Sequence, residues 1–290
     1  MAAVLGTNMA SVWASKNLRS AQNDMASSVE RLSSGVRINR AKDDAAGLAI
    51  ANSLTQQINS SNQGIKNLND GISVVQTAEG AIAAASDMAQ RILTLATQAS
   101  NGTVSSTQRI AIADEMVALW SSVGKIQDRT KFSGISLLDA SASITVVASN
   151  VTSDAITISS TTALEQIYVA SGTSTSTGVA LMAYAIDTAG TSTGPAASLF
   201  TDIVSAAASY ITYLDTQRAS LGAVQNQLEY AVDNITTLSA NLTSARSQVI
   251  DTDYAAETAS LTKGQILQQA ATAMLAQANQ MPNVILSLLK

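Results

Sequence analysis

The chain contains few of the side chains that perform chemistry in enzymes. Its 290 residues include no His and no Cys, which excludes a Ser-His-Asp triad, a cysteine nucleophile and a histidine-based zinc site. Carboxylates alone or a Ser-Lys pair would remain as catalytic groups, but no cluster of such residues stands out along the sequence. The residue types therefore predict a protein that is not an enzyme and uses neither a metal nor a cofactor.

Charge and polarity argue against two kinds of partner. The formal net charge is −5 and there is no basic stripe, so we expect no binding to nucleic acid. Residues 264–289 carry no charge, but seven of them are Asn or Gln, and burying so many amides in lipid would be costly. We therefore expect no membrane insertion. Residues 1–10 also lack the charged and apolar regions of a secretory signal.

Hydrophobic periodicity predicts long helices. Apolar residues recur at steps of three and four in residues 58–99 and again in residues 207–249, which is the pattern of a coiled-coil seam. Each seam needs an apolar partner, and the simplest partner is the other seam. We therefore expect the two segments to pack on each other and to close the chain into a helical hairpin.

Local signals mark where the first of these helices ends and the next one begins. Asn101-Gly102 favours a helix end, because Gly tolerates the left-handed conformation at that position. Ser105 with Gln108 three residues later predicts a capping box that opens a new helix. We expect this helix to run to about Arg129.

The middle of the chain has a different composition. Two alternating β-branched runs at 143–147 and 155–159 predict a β-hairpin, and residues 171–194 are rich in Ser and Thr. Helical periodicity resumes near Ser198 or Thr201. The predicted fold is mainly α, with long antiparallel coiled-coil helices from both termini packed together. A small β-hairpin region and a Ser/Thr-rich variable insert would lie at the tip.

The two terminal arms carry apolar stripes of their own, outside this hairpin. Ordering about 40 residues costs roughly 40–80 kcal/mol of backbone entropy, and one helix pair buries too little surface to offset that cost. Ordinary core packing is the alternative, but we expect the arms to order only when many copies pack around them. The side chains expected between subunits are Leu18, Met25, Val29, Leu32, Leu267, Met274, Met281, Ile285 and Leu288.

Several motifs near both ends resemble those of the bacterial flagellins. They are Glu-Arg-Leu-Ser-Ser-Gly-Val-Arg-Ile-Asn at 30–39, Ala-Lys-Asp-Asp-Ala-Ala-Gly at 41–47, Gln-Ile-Leu-Gln-Gln-Ala at 265–270 and Leu-Ala-Gln-Ala-Asn-Gln at 275–280. The resemblance covers roughly residues 1–140 and 200–290. Trp13 and Trp120 depart from the family's pattern, as do residues 5–8 and 132–134.

The resemblance implies an architecture for each part of the chain. Residues 1–43 would form the N-terminal arm of an inner tube with its spoke, and residues 250–290 the C-terminal arm. Residues 44–142 and 200–249 would form the two parts of an outer-tube helical domain. Residues 143–199 would hold the β-hairpin and a surface-exposed variable insert.

The resemblance also implies function and partners. The chain would be a structural subunit that self-assembles into the extracellular flagellar filament used for swimming motility. It would be exported unfolded by the flagellar type III system. Its partners would be copies of itself, the flagellar cap and hook-junction proteins, and an export chaperone at the C-terminal arm. The amides of Gln268, Gln277 and Gln280 could fix the register between helices, as buried polar residues do in coiled coils.

An innate immune receptor reads a motif in some flagellins. Arg91, Leu95 and Glu115 fall at the matching positions here, although the residues at 92–94 have lost two of the family's charged side chains. The alternative is that Arg91 and Glu115 form a solvated helix face that packs between subunits. Both interpretations remain open from the sequence.

Three other classes are weighed against a filament subunit. A hook-filament junction protein would share the terminal heptads and the export route, but the strong motif matches favour a filament flagellin. A membrane-active translocator would need long apolar helices, which the amides after Gly264 argue against. A zinc protease in the insert, as in some flagellins, is excluded because the chain has no His.

Overall fold

The structure is a computed structural model that describes residues 8–138, 143–148, 155–159 and 197–288, and side chains for all of these except 159, 197–198 and 281–288. The chain divides into two compact units. The terminal unit comprises Met1–Asn59 and Ser239–Lys290, and the central unit comprises Ser60–Leu238. The predicted tip insert, residues 160–196, lies outside the described residues.

Long helices make up most of the described chain, as the periodicity predicted, and the mainly α fold class is confirmed. The helices are α1 (Met9–Ser34), α2 (Ala45–Ser100), α3 (Ser106–Arg129), α4 (Ala197–Ile250) and α5 (Tyr254–Leu288). The strands are β1 (Lys131–Phe132), β2 (Ile135–Ser136), β3 (Ser143–Val147) and β4 (Ala155–Ser159). β1 pairs with β2 and β3 pairs with β4, and each pair forms a two-stranded antiparallel sheet.

The predicted capping box is confirmed. The Ser105 hydroxyl accepts a hydrogen bond from the backbone amide of Gln108 at 3.4 Å, and the Gln108 side-chain oxygen accepts one from the Ser105 amide at 3.0 Å. Two backbone donors that a helix start leaves unpaired are thereby satisfied. The helix ends at Arg129, also as predicted.

The core of the central unit is formed mainly by α2, α3 and α4, and the two predicted seams supply about half of its buried residues. Its largest fully buried side chains are Leu68, Val75, Ile82, Ile92, Met116, Val123, Leu138, Phe200, Leu214 and Leu228. Arg218 interrupts the apolar pattern of the second seam, and its exposed guanidinium lies 3.6 Å from the Glu79 carboxylate. Leu238 is a correction to the predicted seam, because it is 46% exposed.

Aromatic residues add to this core at positions that the periodicity did not select. Trp120 meets Tyr210 edge to face, with ring centroids 5.3 Å apart. The Tyr210 hydroxyl is buried without a hydrogen-bond partner. Burial, and to a lesser extent the neighbouring Tyr213, raises the pKa of that hydroxyl above its ordinary value.

The predicted hairpin is confirmed as β3 and β4, paired from Ser143↔Ser159 to Val147↔Ala155. It packs directly on α2, because the Asn67 amide donates a hydrogen bond to the Val147 carbonyl at 3.1 Å. A Cβ atom added at Gly64 would overlap the carbonyl group of Ala148. The hairpin backbone can therefore lie this close to α2 only because Gly64 has no side chain.

Candidate self-assembly surface

The terminal unit is built on an antiparallel pair of helices, α1 and α5. The Asn8 amide donates a hydrogen bond to the Ala278 carbonyl at 2.7 Å, at one end of the pair. Arg31 lies 3.7 Å from Glu257 at the other end. Residue numbers thus rise along α1 as they fall along α5, so the first and last parts of the chain pack on each other.

Small residues line the seam between these two helices. Ala14, Ala21 and Ser28 are buried on α1 at a spacing of seven, and Gly264 and Ala278 are buried on α5 in the same heptad register. A Cβ atom added at Gly264 would lie 3.4 Å from the Cβ of Met25. Because interhelical distance follows the side chains at the contact, such residues let the two backbones approach closely.

The predicted intersubunit residues fall into two groups. Leu18, Met25 and Leu32 are half-buried beside the seam, and a role for their remaining exposed surface between subunits stays a prediction. Val29, Leu267 and Met274 are 51%, 47% and 65% exposed. The side chains of Met281, Ile285 and Leu288 lie outside the described residues, although their backbone belongs to α5.

An open groove of about 620 Å³ runs along one side of the α1–α5 pair. Its apolar wall includes Trp13, which is 56% exposed, together with Leu267 and Met274. The Lys16 ammonium lies 5.1 Å from the centre of the Trp13 ring, in cation–π geometry. The apolar periodicity of α1 did not select Trp13. The signal that could have identified it is that tryptophan is rare in this chain, which has few aromatic residues.

The segments that connect the helices are bonded to each other. The Thr252 amide donates to the Gly35 carbonyl at 3.0 Å, and Val36 forms a β-bridge with Asp251. The Arg37 guanidinium donates to the Val249 carbonyl at 2.7 Å. It therefore satisfies an acceptor in the last turn of α4, where carbonyl groups lack partners within the helix. This role of Arg37 was not predicted from the sequence.

The loop at 35–44, between α1 and α2, is organised by two carboxylates. Asp43 accepts hydrogen bonds from the backbone amides of Asn39 and Arg40, the latter at 3.0 Å, and these bonds shape the loop. Asp44 accepts one from the Gly47 amide at 2.8 Å, in the first turn of α2. This last bond satisfies a donor that a helix start leaves without a partner.

The amides proposed to fix helix register lie on different faces of α5. Gln268 is half-buried on the face that contains Gly264 and Ala271, towards α1, whereas Gln277 and Gln280 are exposed. Only Gln268 is therefore placed beside the seam within one chain. A role for the other two between subunits stays a prediction.

The three residues at the receptor-motif positions are not equally accessible. Arg91 and Glu115 form an exposed ion pair at 2.8 Å between α2 and α3. Leu95 is 3% exposed and belongs to the core of the central unit. Of the three, only the charged pair therefore presents its side chains on the surface, and recognition by a receptor stays a prediction.

Neither a metal cluster nor a membrane span occurs in the described parts of the chain. No group of three or more His, Cys, Asp or Glu residues is placed to hold a metal there. Among the described helices, none is long and apolar enough to cross a membrane.

One unit with paired terminal helices and an exposed apolar groove, and a second unit with a helical core, are typical of a helical structural protein. Two family models identify which one. The bacterial flagellin N-terminal helical region matches residues 5–143, and the bacterial flagellin C-terminal helical region matches residues 204–289. The chain belongs to the bacterial flagellins. It is a structural subunit of the extracellular flagellar filament and not an enzyme.

Individual relatives agree along the whole chain. Polar flagellin C of Vibrio parahaemolyticus is 32% identical over an alignment of 385 positions, which covers 100% of both chains. Flagellin A of Vibrio cholerae is 32% identical over 381, covering 99% of each, and flagellin B of that species is 33% identical over 375. The crystal structure of Bacillus cereus flagellin has a TM-score of 0.47 and 24% identity, covering 62% of this chain and 94% of that one.

Proposed function

We propose that this chain polymerises with copies of itself into the flagellar filament through the exposed apolar side chains of its terminal unit. The observation that carries the proposal is the groove of the α1–α5 pair, where Trp13, Leu267 and Met274 are 56%, 47% and 65% exposed. Exposed apolar surface of this kind commonly marks a protein interaction site.

The energetics of the helix pair favour coupling between order and assembly. The residues buried between α1 and α5 are small, namely Ala, Ser and Gly, so the seam removes little apolar area from water. Trp13, Leu267 and Met274 are already about half covered, so burying the rest of each side chain would contribute on the order of 1–2 kcal/mol. We therefore expect neighbouring copies to supply much of the free energy that orders these helices, and amide exchange in the terminal unit of the monomer to be fast.

The lack of charge in residues 264–289 is consistent with an α5 that is surrounded by other helices in the filament. Burying an unpaired charge costs several kcal/mol, whereas a helix without charge can be surrounded at low cost. We assign the terminal unit to the inner tube of the filament and the central unit to the outer tube. The loop at 35–47 would be the spoke that joins them.

Export through the flagellar type III system belongs to the same proposal. The chain has no Cys, so no disulfide has to be reduced before it is threaded unfolded. The C-terminal arm would be held by an export chaperone before assembly, since α5 exposes the apolar side chains of Leu267 and Met274. The cap and hook-junction proteins would meet the same terminal unit at the two ends of the filament.

A charge placed in the groove tests the proposal. We expect Leu267→Glu to abolish polymerisation, because the carboxylate would be buried without a partner at each copy of the interface. The matched control is Ser260→Glu, an exposed position in the part of α5 that already carries Glu257 and Lys263. Sedimentation and electron microscopy measure both variants.

The two outcomes that contradict the proposal are distinct. Normal filaments from Leu267→Glu would show that the groove is not an interface. A wild-type chain that gives no long filaments under any assembly condition would instead favour the hook-filament junction alternative.

Receptor recognition is a second candidate function, favoured only by the exposed Arg91–Glu115 pair. Because an exposed ion pair contributes about 0–1 kcal/mol, Arg91→Ala should leave the monomer folded. We expect this variant to lower the signal of a flagellin-receptor reporter assay at least about tenfold, a loss of about 1.4 kcal/mol in binding. Arg218→Ala, which removes a comparable ion pair with Glu79, is the control. An equal signal from both variants would rule the contact out.

A further inference from the structure

The methionines of this chain differ widely in exposure. Among those with described side chains, Met274 is 65% exposed and Met9 is 56% exposed, whereas Met116 is 2% exposed. Met25 and Met88 are half-buried. Because oxidation of a thioether requires access of the oxidant to sulfur, Met274 and Met9 are the most accessible of these five when α1 and α5 are folded.

Met274 differs from Met9 in its surroundings. It lines the groove of the α1–α5 pair, together with Trp13 and Leu267, and Met9 is not among the residues that line this groove. Methionine fills irregular apolar gaps and packs well on aromatic rings, because its side chain is flexible and polarisable. Met274 is therefore an anchor residue of the surface through which the chain is proposed to assemble.

We propose that Met274 is an oxidation-sensitive site whose sulfoxide keeps an unassembled subunit out of the filament. The proposal rests on the proposed function, since it concerns the same groove. The oxidant is a hydroperoxide such as hydrogen peroxide. One peroxide oxygen is transferred to the thioether sulfur, forming the S–O bond as the O–O bond breaks. The sulfur is oxidised by two electrons, and the remaining oxygen takes up the proton and leaves as water.

The sulfoxide changes the groove in two ways. It replaces an apolar atom by a strong hydrogen-bond acceptor, and burying that acceptor without a donor is unfavourable. It also adds volume where a neighbouring copy has to fit. Once a subunit is assembled, the same neighbour covers the Met274 sulfur. The sulfur is therefore protected from oxidation in the filament and accessible in the free subunit. Methionine sulfoxide reductases reverse the modification, which makes the site a switch.

A single partition experiment tests this inference. Purified monomer is oxidised partially with hydrogen peroxide, allowed to polymerise and separated by sedimentation, and both fractions are mapped by peptide mass spectrometry. We expect the sulfoxide of Met274 to be enriched at least about tenfold in the unassembled fraction, which corresponds to about 1.4 kcal/mol. The sulfoxide of Met9, at a comparably exposed position, should distribute evenly and serves as the internal control.

Two variants and a rescue sharpen the test. Met274→Leu should polymerise after peroxide treatment as well as before it, whereas Met9→Leu should remain sensitive. Methionine sulfoxide reductase should restore the unassembled wild-type fraction to polymerisation, which keeps the test decisive if Met274→Leu does not assemble. An even distribution of the Met274 sulfoxide, or an unassembled fraction that stays inactive after reduction, overturns the inference while leaving the proposed function intact. Untreated wild-type protein that never polymerises overturns both.

Discussion

A chain that ends at Ile250 should form no filaments and should keep the central unit folded. The truncation removes α5, the helix that packs on α1 in the terminal unit. Isolated helices in water are marginal without such packing. We therefore expect α1 to lose its remaining helical order as well, so that the helical circular dichroism of the truncated chain comes from α2, α3 and α4.

The two tryptophans make this result measurable unit by unit. Trp13 lies in the terminal unit and Trp120 is buried in the central unit. In a Trp13→Phe background, the emission of Trp120 and its urea transition should be the same for the full-length and the truncated chain. Filaments from the truncated chain would contradict the assignment of assembly to the terminal unit. Loss of the Trp120 transition would show that the central core depends on α5.

Alanine at Gly64 should destabilise the central unit by about 2 kcal/mol or more. The new Cβ atom would overlap the Ala148 carbonyl, a backbone group that cannot rotate away. Either α2 or the end of β3 has to shift, and forcing extra atoms into a packed contact typically costs about 1–3 kcal/mol. A shift of β3 would also break the Asn67–Val147 hydrogen bond, which adds about 1 kcal/mol. Urea unfolding followed by Trp120 fluorescence measures the change.

Gly80 provides the matched control on the same helix. A Cβ atom added there meets no atom within 4 Å, so Gly80→Ala removes only the entropic disadvantage of glycine. It should stabilise the chain by about 0.5–1 kcal/mol. The two alanine variants should therefore differ in sign. If Gly64→Ala proved as stable as Gly80→Ala, the hairpin would not be seated on α2 as described.

Features that depend on neighbouring residues could be predicted from the sequence. The capping box at Ser105 and Gln108 needs only a hydroxyl and an amide three residues apart. The alternating runs that became β3 and β4 each contain their own period of two. The two heptad seams of the central core were also predictable, because Leu, Ile and Val recur among their alanines and the period is sustained over many turns.

In the terminal unit, the packing of the two helices could not be predicted from neighbouring residues alone. Periodicity identifies residues of α1 and α5 that share a face without saying which of them meet the partner helix. The apolar stripes of the two arms contain both large and small residues: Ala21 and Ala278 are buried in the seam, whereas Leu267 and Met274 are exposed. Close approach of backbones selects small residues, which carry a weak hydrophobic signal, so periodicity alone did not separate the seam from the exposed part of each stripe.

The same limit applies to contacts between distant segments. Three features depend on parts of the chain that are far apart in sequence. Arg37 donates a hydrogen bond to the Val249 carbonyl, the Ala148 backbone requires glycine at position 64, and Leu95 is buried in the core. The sequence by itself determined the helices, their ends, the hairpin and the flagellin family. Only the tertiary structure decided which apolar side chains were already covered within one chain, because that choice depends on how closely two backbones can approach.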